Sequence, residues 1–113
     1  MMTSEDYRER QAQAMSEEEL DANVMDAARR FGFTLGYHTF DSRRSDIGFP
    51  DRILVSVQQK RVLWIEEKRE GKEPAPYQAA WIAALLECGQ EAYIIRPSDW
   101  YNGIVERLLR TKP

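Results

Sequence analysis

The sequence has little of the chemistry on which most zinc, disulfide and histidine sites depend. Its 113 residues include one cysteine, Cys88, and one histidine, His38. A lone cysteine excludes an internal disulfide and a zinc site built from cysteines, and it favours a reducing cytoplasm. No apolar run approaches the roughly 20 residues of a membrane span, and the acidic, polar start is unlike a signal peptide. We therefore expect a cytoplasmic protein that does not enter a membrane.

Net positive charge is also lacking. The chain has 16 Lys and Arg against 19 Asp and Glu, a formal charge of −3, which by itself disfavours an acidic partner such as nucleic acid. The charge is uneven, however, because residues 1–26 contain eight acids and two bases. Residues 27–113 then contain 14 bases and 11 acids. The main part of the chain is therefore compatible with a polyanionic partner.

Length and composition predict a single domain. A chain of 113 residues with 42% hydrophobic and 31% charged residues is typical of one globular unit. Residues 1–15 are polar and lack a sustained apolar period, so we expect a flexible leader there. The folded domain is predicted over residues 16–113.

Hydrophobic periodicity predicts an α/β protein with the element order αβββαβα. A capping-box pattern begins the first helix at Ser16, and the helix runs to about Arg30. Short β-branched and aromatic runs predict strands, and two further segments have helical spacing. The predicted strands are 33–40, 51–57, 62–68 and 92–95, and the later helices are 77–88 and 100–110.

Asp51, Glu66 and Lys68 are predicted to converge on one face of the second and third strands. A turn that pairs Val57 with Val62 would set Asp51 opposite Lys68, and Glu66 shares the face of Lys68 because they are two residues apart. Adjacent carboxylates repel unless a cation lies between them, and hard oxygen ligands suit Mg²⁺ or Mn²⁺. The alternative is a solvated ion cluster at a strand end.

Several motifs, in order along the chain, resemble the VRR-NUC family of the PD-(D/E)xK nuclease superfamily. They are G-F-P-D at 48–51, I-E-E-K at 65–68, a helix with Gln78 and Trp81, and Y-I-I-R-P-S-D-W at 93–100. The resemblance covers about residues 16–100. It implies a restriction-endonuclease-like αβββαβ core, here with a C-terminal helix, and Mg²⁺- or Mn²⁺-dependent hydrolysis of phosphodiester bonds in DNA.

The resemblance also implies roles for individual residues. Asp51 and Glu66 would be side-chain metal ligands, the backbone carbonyl of Glu67 a third ligand, and Lys68 the catalytic lysine. The side chain of Glu67 is expected to face away from the site and to leave that strand end exposed to solvent. Gln78 matches the family's glutamine and would hold a water or a phosphate, with a simple helix cap as the alternative.

Nucleases of this kind often add a carboxylate from the first helix. Helical spacing places Glu17 nearest the apolar stripe of that helix, with Asp21 as a weaker alternative. We therefore expect Glu17 to join the metal site. Its alternative role is that of an acid favoured by the positive end of the helix dipole.

Basic residues near these motifs are candidates for phosphate binding. Arg43 and Arg44 precede Asp51 in a polar loop, where two guanidinium groups would hold phosphates, and Lys72 would extend a basic track. Two solvated loop arginines are the alternative.

These expectations combine into a small endonuclease. Stand-alone VRR-NUC members are similar to Holliday-junction resolvases, so the resemblance implies a homodimer that acts on branched or structured DNA in repair or recombination. The apolar stripe of the closing helix is a candidate dimer surface: Ile104, Val105, Leu108 and Leu109. The alternative function is a non-catalytic DNA-binding or complex-assembly module of the same fold, which has no reason to keep two acids beside bound phosphates.

Overall fold

The computed structural model describes residues 1–39 and 46–113. It shows a mixed α/β protein with helices around one four-stranded sheet, which confirms the predicted fold class. No helix in these two ranges is long and apolar enough to cross a membrane. The elements are α1 (Ser4–Ala14), α2 (Glu17–Arg30), β1 (Leu35–His38), β2 (Arg52–Ser56), β3 (Arg61–Glu67), α3 (Pro76–Glu87), β4 (Glu91–Ile95), α4 (Pro97–Tyr101) and α5 (Ile104–Arg110).

The sheet has the strand order β1-β2-β3-β4. The first three strands are antiparallel, and β4 lies parallel to β3. Parallel neighbours need a crossover connection, and α3 forms it between β3 and β4. The ends of β3 and β4 therefore lie side by side at one edge of the sheet, where β2 begins.

The pairing of β2 with β3 differs by two residues from the prediction. Ser56 pairs with Arg61 and Val55 with Val62, so that residues 57–60 form the turn. Ser56 Oγ accepts the N–H of Gln59 at 3.0 Å, which stabilises this turn. The predicted pairing of Val57 with Val62 is wrong. Because the shift is an even number of residues, each side chain stays on its predicted face, and the register continues to place Asp51 opposite Glu66 instead of Lys68.

Helix α2 supplies one side of the core. Ser16 and Glu19 form the predicted capping box, with Ser16 Oγ accepting the N–H of Glu19 at 3.0 Å. The apolar stripe of the helix packs on one face of the sheet and against α5. Each fully buried large aliphatic side chain contributes about 1.5–3 kcal/mol. The buried residues of this cluster include Leu20, Val24, Ala27 and Ala28 from α2, Leu54, Leu63 and Ile65 from the sheet, and Val105 and Leu109 from α5.

The first 15 residues differ from the expected leader. Residues 4–14 form helix α1, whose start is capped reciprocally by Thr3 and Asp6. Ala12 and Met15 are buried, whereas residues 1–10 are exposed. The sequence did not predict this helix because residues 4–14 lack an apolar stripe at helical spacing. Accordingly, the helix buries only Ala12.

Two further elements differ from the prediction in extent. The closing helix is divided into α4 and α5 by Gly103, whose φ of 76° does not continue a helix. Among the described residues, the first strand covers Leu35–His38, whereas the prediction began this strand at residue 33.

A buried ion pair joins the first residues of β3 and β4 to α5. Arg61 donates to both carboxylate oxygens of Glu91, at 3.0 and 2.8 Å, and to the backbone carbonyl of Leu108 at 2.6 Å. Burial alone would raise the pKa of Glu91, but the hydrogen bonds from Arg61 and Tyr93 outweigh burial and lower it. Glu91 is therefore ionised in the folded protein at neutral pH.

We predict that Glu91→Gln destabilises the protein by about 3–5 kcal/mol at pH 7, because the buried Arg61 loses its counter-charge. A lowered folded-state pKa contributes stability above the unfolded value of 4.5, and that contribution is lost as the pH falls through the folded value. The difference between wild type and variant should therefore shrink on acidification below 4.5. Urea denaturation at several pH values measures it. The exposed Glu87→Gln serves as the control, and a difference independent of pH would contradict the assignment.

Candidate functional site

Asp51, Glu66 and Lys68 meet at the edge of the sheet where β2 begins and β3 ends. The side chain of Glu66 is only 1% exposed, and the Lys68 ammonium lies 3.5 Å from Glu66 Oε2. Burial first, and then the adjacent charge of Asp51, raise the pKa of Glu66 to about 8, although the charge of Lys68 acts in the opposite direction. The predicted convergence of two carboxyl groups and one lysine is present.

Backbone hydrogen bonds hold these three residues in place. Asp51 Oδ2 accepts the N–H of Glu67 at 2.8 Å, which links the carboxylate of one strand to the main chain of the next. The carbonyl of Asp51 accepts the N–H of Thr39, and the N–H of Lys68 donates to the carbonyl of Ile95, both at 3.0 Å. The site is therefore positioned by the ends of all four strands.

Gly48 allows the loop before Asp51 to lie directly against the start of α3. Its φ of 84° lies in the left-handed region, and a Cβ atom at this position would overlap the backbone of Tyr77 and Gln78. Both the conformation and the contact require glycine. The first residue of the G-F-P-D motif thus brings the loop and the helix together.

Phe49 anchors the same loop between two tryptophans. Its ring makes edge-to-face contacts with Trp64 on β3 and Trp81 on α3, at centroid distances of 6.3 and 5.0 Å. The indole N–H of Trp81 donates to the carbonyl of Ile47 at 3.2 Å. These contacts connect the helix, the sheet and the peptide that leads into Asp51.

Gln78 caps the helix that follows the site. Its side-chain Oε1 accepts the N–H of Ala75 at 2.8 Å in the first turn of α3. This hydrogen bond is the helix cap that was the alternative role predicted for Gln78. A role for its amide group toward a water or a phosphate stays a prediction.

The side chain of Glu67 is buried, and the expectation that it would be exposed to solvent is wrong. It is 3% exposed and lies on the opposite face of β3 from Glu66, beside Asp21 of α2. Burial first, and then hydrogen bonding and charge from Asp21, raise the pKa of Glu67 to about 10. Sequence reasoning missed this contact because a carboxyl group ordinarily avoids burial beside another acid.

Arg52 explains how Asp21 is accommodated there. Its guanidinium donates two hydrogen bonds to the Asp21 carboxylate, at 2.8 and 2.6 Å. Burial would raise the pKa of Asp21, but the hydrogen bonds from Arg52 and Glu67 outweigh burial and lower it. The first-helix carboxylate that contacts the end of β3 is therefore Asp21, whereas Glu17 is exposed in the first turn of α2.

The R-P-S-D-W motif fixes the loop that follows Lys68. Arg96 Nε donates to the carbonyl of Lys72 at 3.0 Å, and Arg96 Nη2 lies 3.4 Å from Glu73 Oε2. Glu70 Oε1 accepts the N–H of Ser98 at 2.9 Å. These roles of Arg96 and Glu70 were not predicted, although the R-P-S-D-W motif was noticed in the sequence.

Of the residues predicted to bind phosphate, Lys72 has an exposed side chain in this loop. Arg43 and Arg44 lie outside the described residues.

The donor atoms at the site fit a divalent cation. Within residues 1–39 and 46–113, no group of three or more His, Cys, Asp and Glu side chains is arranged to hold a metal ion. Both carboxylate oxygens of Glu66 are nevertheless buried without a hydrogen-bond partner in the same ranges, and Asp51 is adjacent. Unpartnered buried acceptors are costly, and Mg²⁺ needs only one or two carboxylates because it retains several waters.

The sequence profile of the VRR-NUC domain matches residues 3–99, which is most of the chain. The chain belongs to the VRR-NUC family. This confirms the resemblance, and the matched region also includes α1, which lies before the expected start at residue 16. A solved structure described as a VRR-NUC domain is 20% identical, with a TM-score of 0.57, and the match covers 81% of this chain and 97% of the other. At that identity the likeness shows the fold alone. No curated protein matches the chain.

The VRR-NUC domain is a nuclease-type domain, and this membership supports a nuclease-like function with DNA as the substrate. Divalent metal ions are usual in the family. The two carboxyl groups and the lysine described above occupy the positions of the motifs that define the resemblance.

We predict that Gly48→Ala destabilises this VRR-NUC domain more than Gly71→Ala. Both glycines have positive φ, 84° and 78°, so both variants incur about 1–2 kcal/mol of backbone strain. Only at position 48 does the new Cβ meet other atoms, since nothing lies within 4 Å of one at position 71. The extra overlap should cost a further ~1–3 kcal/mol. Chemical denaturation measures both variants, and equal losses would contradict the close contact with α3.

We also predict that the metal-free protein loses stability as the pH rises from 4.5 to about 8. The folded-state pKa of Glu66 is raised from 4.5 to about 8, so in this window the folded chain retains a proton that the unfolded chain releases. Glu66→Gln removes this titration and should be more stable than wild type at pH 8, with a smaller difference at pH 5. Urea denaturation in EDTA tests this, with the exposed Glu106→Gln as control. An unchanged pH dependence in Glu66→Gln would refute it.

Proposed function

We propose that this protein is a Mg²⁺- or Mn²⁺-dependent DNA endonuclease in which Asp51, Glu66 and Lys68 are the catalytic residues. The observation that supports this most is the burial of both Glu66 carboxylate oxygens without a hydrogen-bond partner among the described residues, next to Asp51 and Lys68. Two acids placed in this way disfavour a simple surface ion cluster, because solvated charges would not require burial.

The cation would be held by the side chains of Asp51 and Glu66 and by the backbone carbonyl of Glu67. When bound, it would offset both negative charges and polarise the phosphoryl group of the substrate. The N–H of Glu67 is already bound by Asp51, so the peptide that follows Glu66 is oriented by the same carboxylate. This arrangement leaves little rotational freedom at the proposed ligands.

In this proposal Lys68 acts on the attacking water. Its ammonium lies 3.5 Å from Glu66 Oε2 and is mostly buried at the site, where it would donate hydrogen bonds to the water or to the phosphoryl oxygen that gains charge. The water oxygen would attack phosphorus and give up a proton, one P–O ester bond would break, and the departing oxygen would take up a proton and leave as a hydroxyl group. Gln78, in the helix that begins beside Gly48, would help to hold the water or a phosphate oxygen.

The first-helix carboxylate in this proposal is Asp21 rather than Glu17. Asp21 contacts Glu67 and is held by Arg52, so it would support the strand end whose carbonyl binds the cation. Arg43, Arg44 and Lys72 would bind the DNA phosphates on either side of the cleaved bond. The exposed position of Lys72 suits such a contact.

The proposal extends to the state of the protein and its substrate. A domain of this size has limited surface for recognising a DNA structure, so a homodimer that presents two sites to branched DNA, as in repair or recombination, is the form that we propose. Twofold symmetry of the protein would then match paired cleavage of two strands.

We predict that wild type cleaves a four-way DNA junction with Mg²⁺ or Mn²⁺ and that Asp51→Asn, Glu66→Gln and Lys68→Ala each reduce the rate by about 100-fold or more. EDTA should abolish cleavage. The measurement is single-turnover cleavage of labelled junction and linear duplex. The control is Lys60→Ala, in the turn at the far end of the β2–β3 hairpin. It removes the same positive charge as Lys68→Ala and should retain wild-type activity.

The same assay distinguishes the alternatives. A wild-type protein that binds DNA but cleaves no substrate with either metal would indicate a non-catalytic DNA-binding or assembly module. Equal cleavage of junction and linear duplex would contradict the proposed preference for branched DNA while leaving the catalytic assignment intact.

A further inference from the structure

Two large apolar side chains lie uncovered beside the peptide that leads into Asp51. Tyr77, in the first turn of α3, is 64% exposed, and Ile47, in the loop before β2, is 68% exposed. A single exposed apolar side chain is common on a protein surface. These two, however, lie next to the proposed catalytic residues, and the fold holds both of them in place.

Gly48 fixes the position of Tyr77. The main chain of Tyr77 packs directly on Gly48, three residues before Asp51. Pro76, whose ring restricts its own φ, precedes Tyr77 in the first turn of the helix, and the cap formed by Gln78 closes the same turn. Tyr77 therefore belongs to a rigid part of the chain.

Ile47 is held by the same contact between the loop and α3. Its carbonyl accepts the indole N–H of Trp81 at 3.2 Å, and it directly precedes Gly48 in the sequence. The side chains of Ile47 and Tyr77 therefore emerge next to one backbone contact.

Tyr77 extends a series of aromatic rings toward the site. Phe49 contacts Trp64 and Trp81, and these three rings are half-buried. Tyr77 lies four residues before Trp81 and so on the same face of α3, about 5.4 Å nearer to the start of the helix. Because β4 is parallel to β3, α3 begins at the edge of the sheet that carries the site. The exposed ring is therefore the member of the series closest to the catalytic residues.

The packing of α3 does not account for an aromatic ring at position 77. Ile82 is the residue of this helix that is buried, and Trp81 supplies the contact with Phe49. The ring of Tyr77 remains mostly in solvent, so it contributes little to the hydrophobic core. A role for this ring has to be found in what the site binds.

The loop that leads into α3 exposes positive charge. Arg69 and Lys72 are both exposed. The two acids of the loop, Glu70 and Glu73, are engaged by a backbone N–H and by a guanidinium group. A DNA phosphate bound by this loop would bring its attached nucleotide next to the first turn of α3.

The chemistry of an exposed tyrosine ring suits an unpaired base. An aromatic side chain offers a face on which any base stacks, whereas phosphates require cations. In a paired duplex the bases stack on one another and present only their edges in the grooves. An aromatic ring beside the cleaved bond would therefore distinguish DNA with an unpaired nucleotide from continuous duplex.

We propose that Tyr77 is a base-stacking residue that binds an unpaired base next to the cleaved phosphate, with Ile47 as an apolar contact at the edge of that base. This inference rests on the proposed function, because it identifies the feature of structured DNA that the site recognises. The preference for branched DNA then arises from a side chain within one chain and does not depend on the oligomeric state.

Binding measured without cleavage tests the inference. Fluorescence anisotropy in EDTA compares a labelled duplex that carries a single-stranded flap with a fully paired duplex. Tyr77→Ala should weaken binding of the flap DNA by about 5- to 100-fold, the effect of losing one stacked base, and should leave binding of the paired duplex unchanged. Tyr77→Phe should bind both DNAs as wild type does, whereas Tyr77→Leu, which is apolar but not aromatic, should behave like Tyr77→Ala.

The matched control is Tyr7→Ala. Tyr7 is another exposed tyrosine, 58% exposed, on α1, which packs on α4. Its neighbours Glu5, Asp6 and Glu9 are acidic and would repel phosphates. This variant should bind both DNAs as wild type does. Circular dichroism confirms that each variant is folded.

A spectroscopic measurement reports stacking directly. The fluorescence of 2-aminopurine at the unpaired position beside the branch is quenched when the base stacks on an aromatic ring. Wild type and Tyr77→Phe should quench it on binding, and Tyr77→Leu at saturating protein should quench it less. A purely structural role of residue 77 would not produce this difference between phenylalanine and leucine.

Several results would overturn the inference. They are unchanged flap binding by Tyr77→Ala, equal losses on both DNAs, or wild-type binding and quenching by Tyr77→Leu. The outcome is separable from that of the proposed nuclease. Stacking by a wild type that cleaves no DNA with either metal would refute the nuclease alone. Cleavage by a Tyr77→Ala variant with undiminished preference for branched DNA would refute this inference alone.

Discussion

The burial of Glu66 beside Asp51 is the constraint on which the rest of the site depends. Two carboxyl groups in a water-poor environment destabilise each other's charged forms, and this is why the pKa of Glu66 is raised to about 8. The surrounding structure offsets the cost only in part: Lys68 supplies one positive charge, and the main chain of Glu67 donates to Asp51. A divalent cation bound between Asp51 and Glu66 would therefore stabilise the charged forms of both carboxyl groups.

The two faces of the sheet differ in how they are covered and in which charged groups they carry. One face is covered by α2 and α5, and its buried charges are paired: Arg61 with Glu91, and Arg52 with Asp21. The first pair links β3 to β4, and the second links β2 to α2. The other face carries Glu66 and Lys68 at the end of β3, with Asp51 beside them.

Particular residues show what the sequence could and could not predict. The convergence of Asp51 and Glu66 was predictable despite the wrong register, because strand side chains alternate and an error of two residues preserves the face. The burial of Glu67 was not predictable, since it depends on Arg52 holding Asp21 against the same strand end. The burial of Arg61 likewise depends on carbonyl groups at the end of α5, more than 40 residues away. Helix α1 has too few buried side chains to leave a periodic pattern.

The sequence alone determined the order of the four strands and of helices α2 and α3, the faces of the strands and the family, because periodicity, capping residues and motifs are local properties. Tertiary structure decided which acids are buried and which carboxylate of α2 meets the sheet. It also decided that Val105, Leu108 and Leu109 of the closing helix belong to the core, whereas Ile104 is exposed. These outcomes depend on how α2, α3 and α5 cover the sheet, and no local pattern specifies which side chains a distant helix will cover.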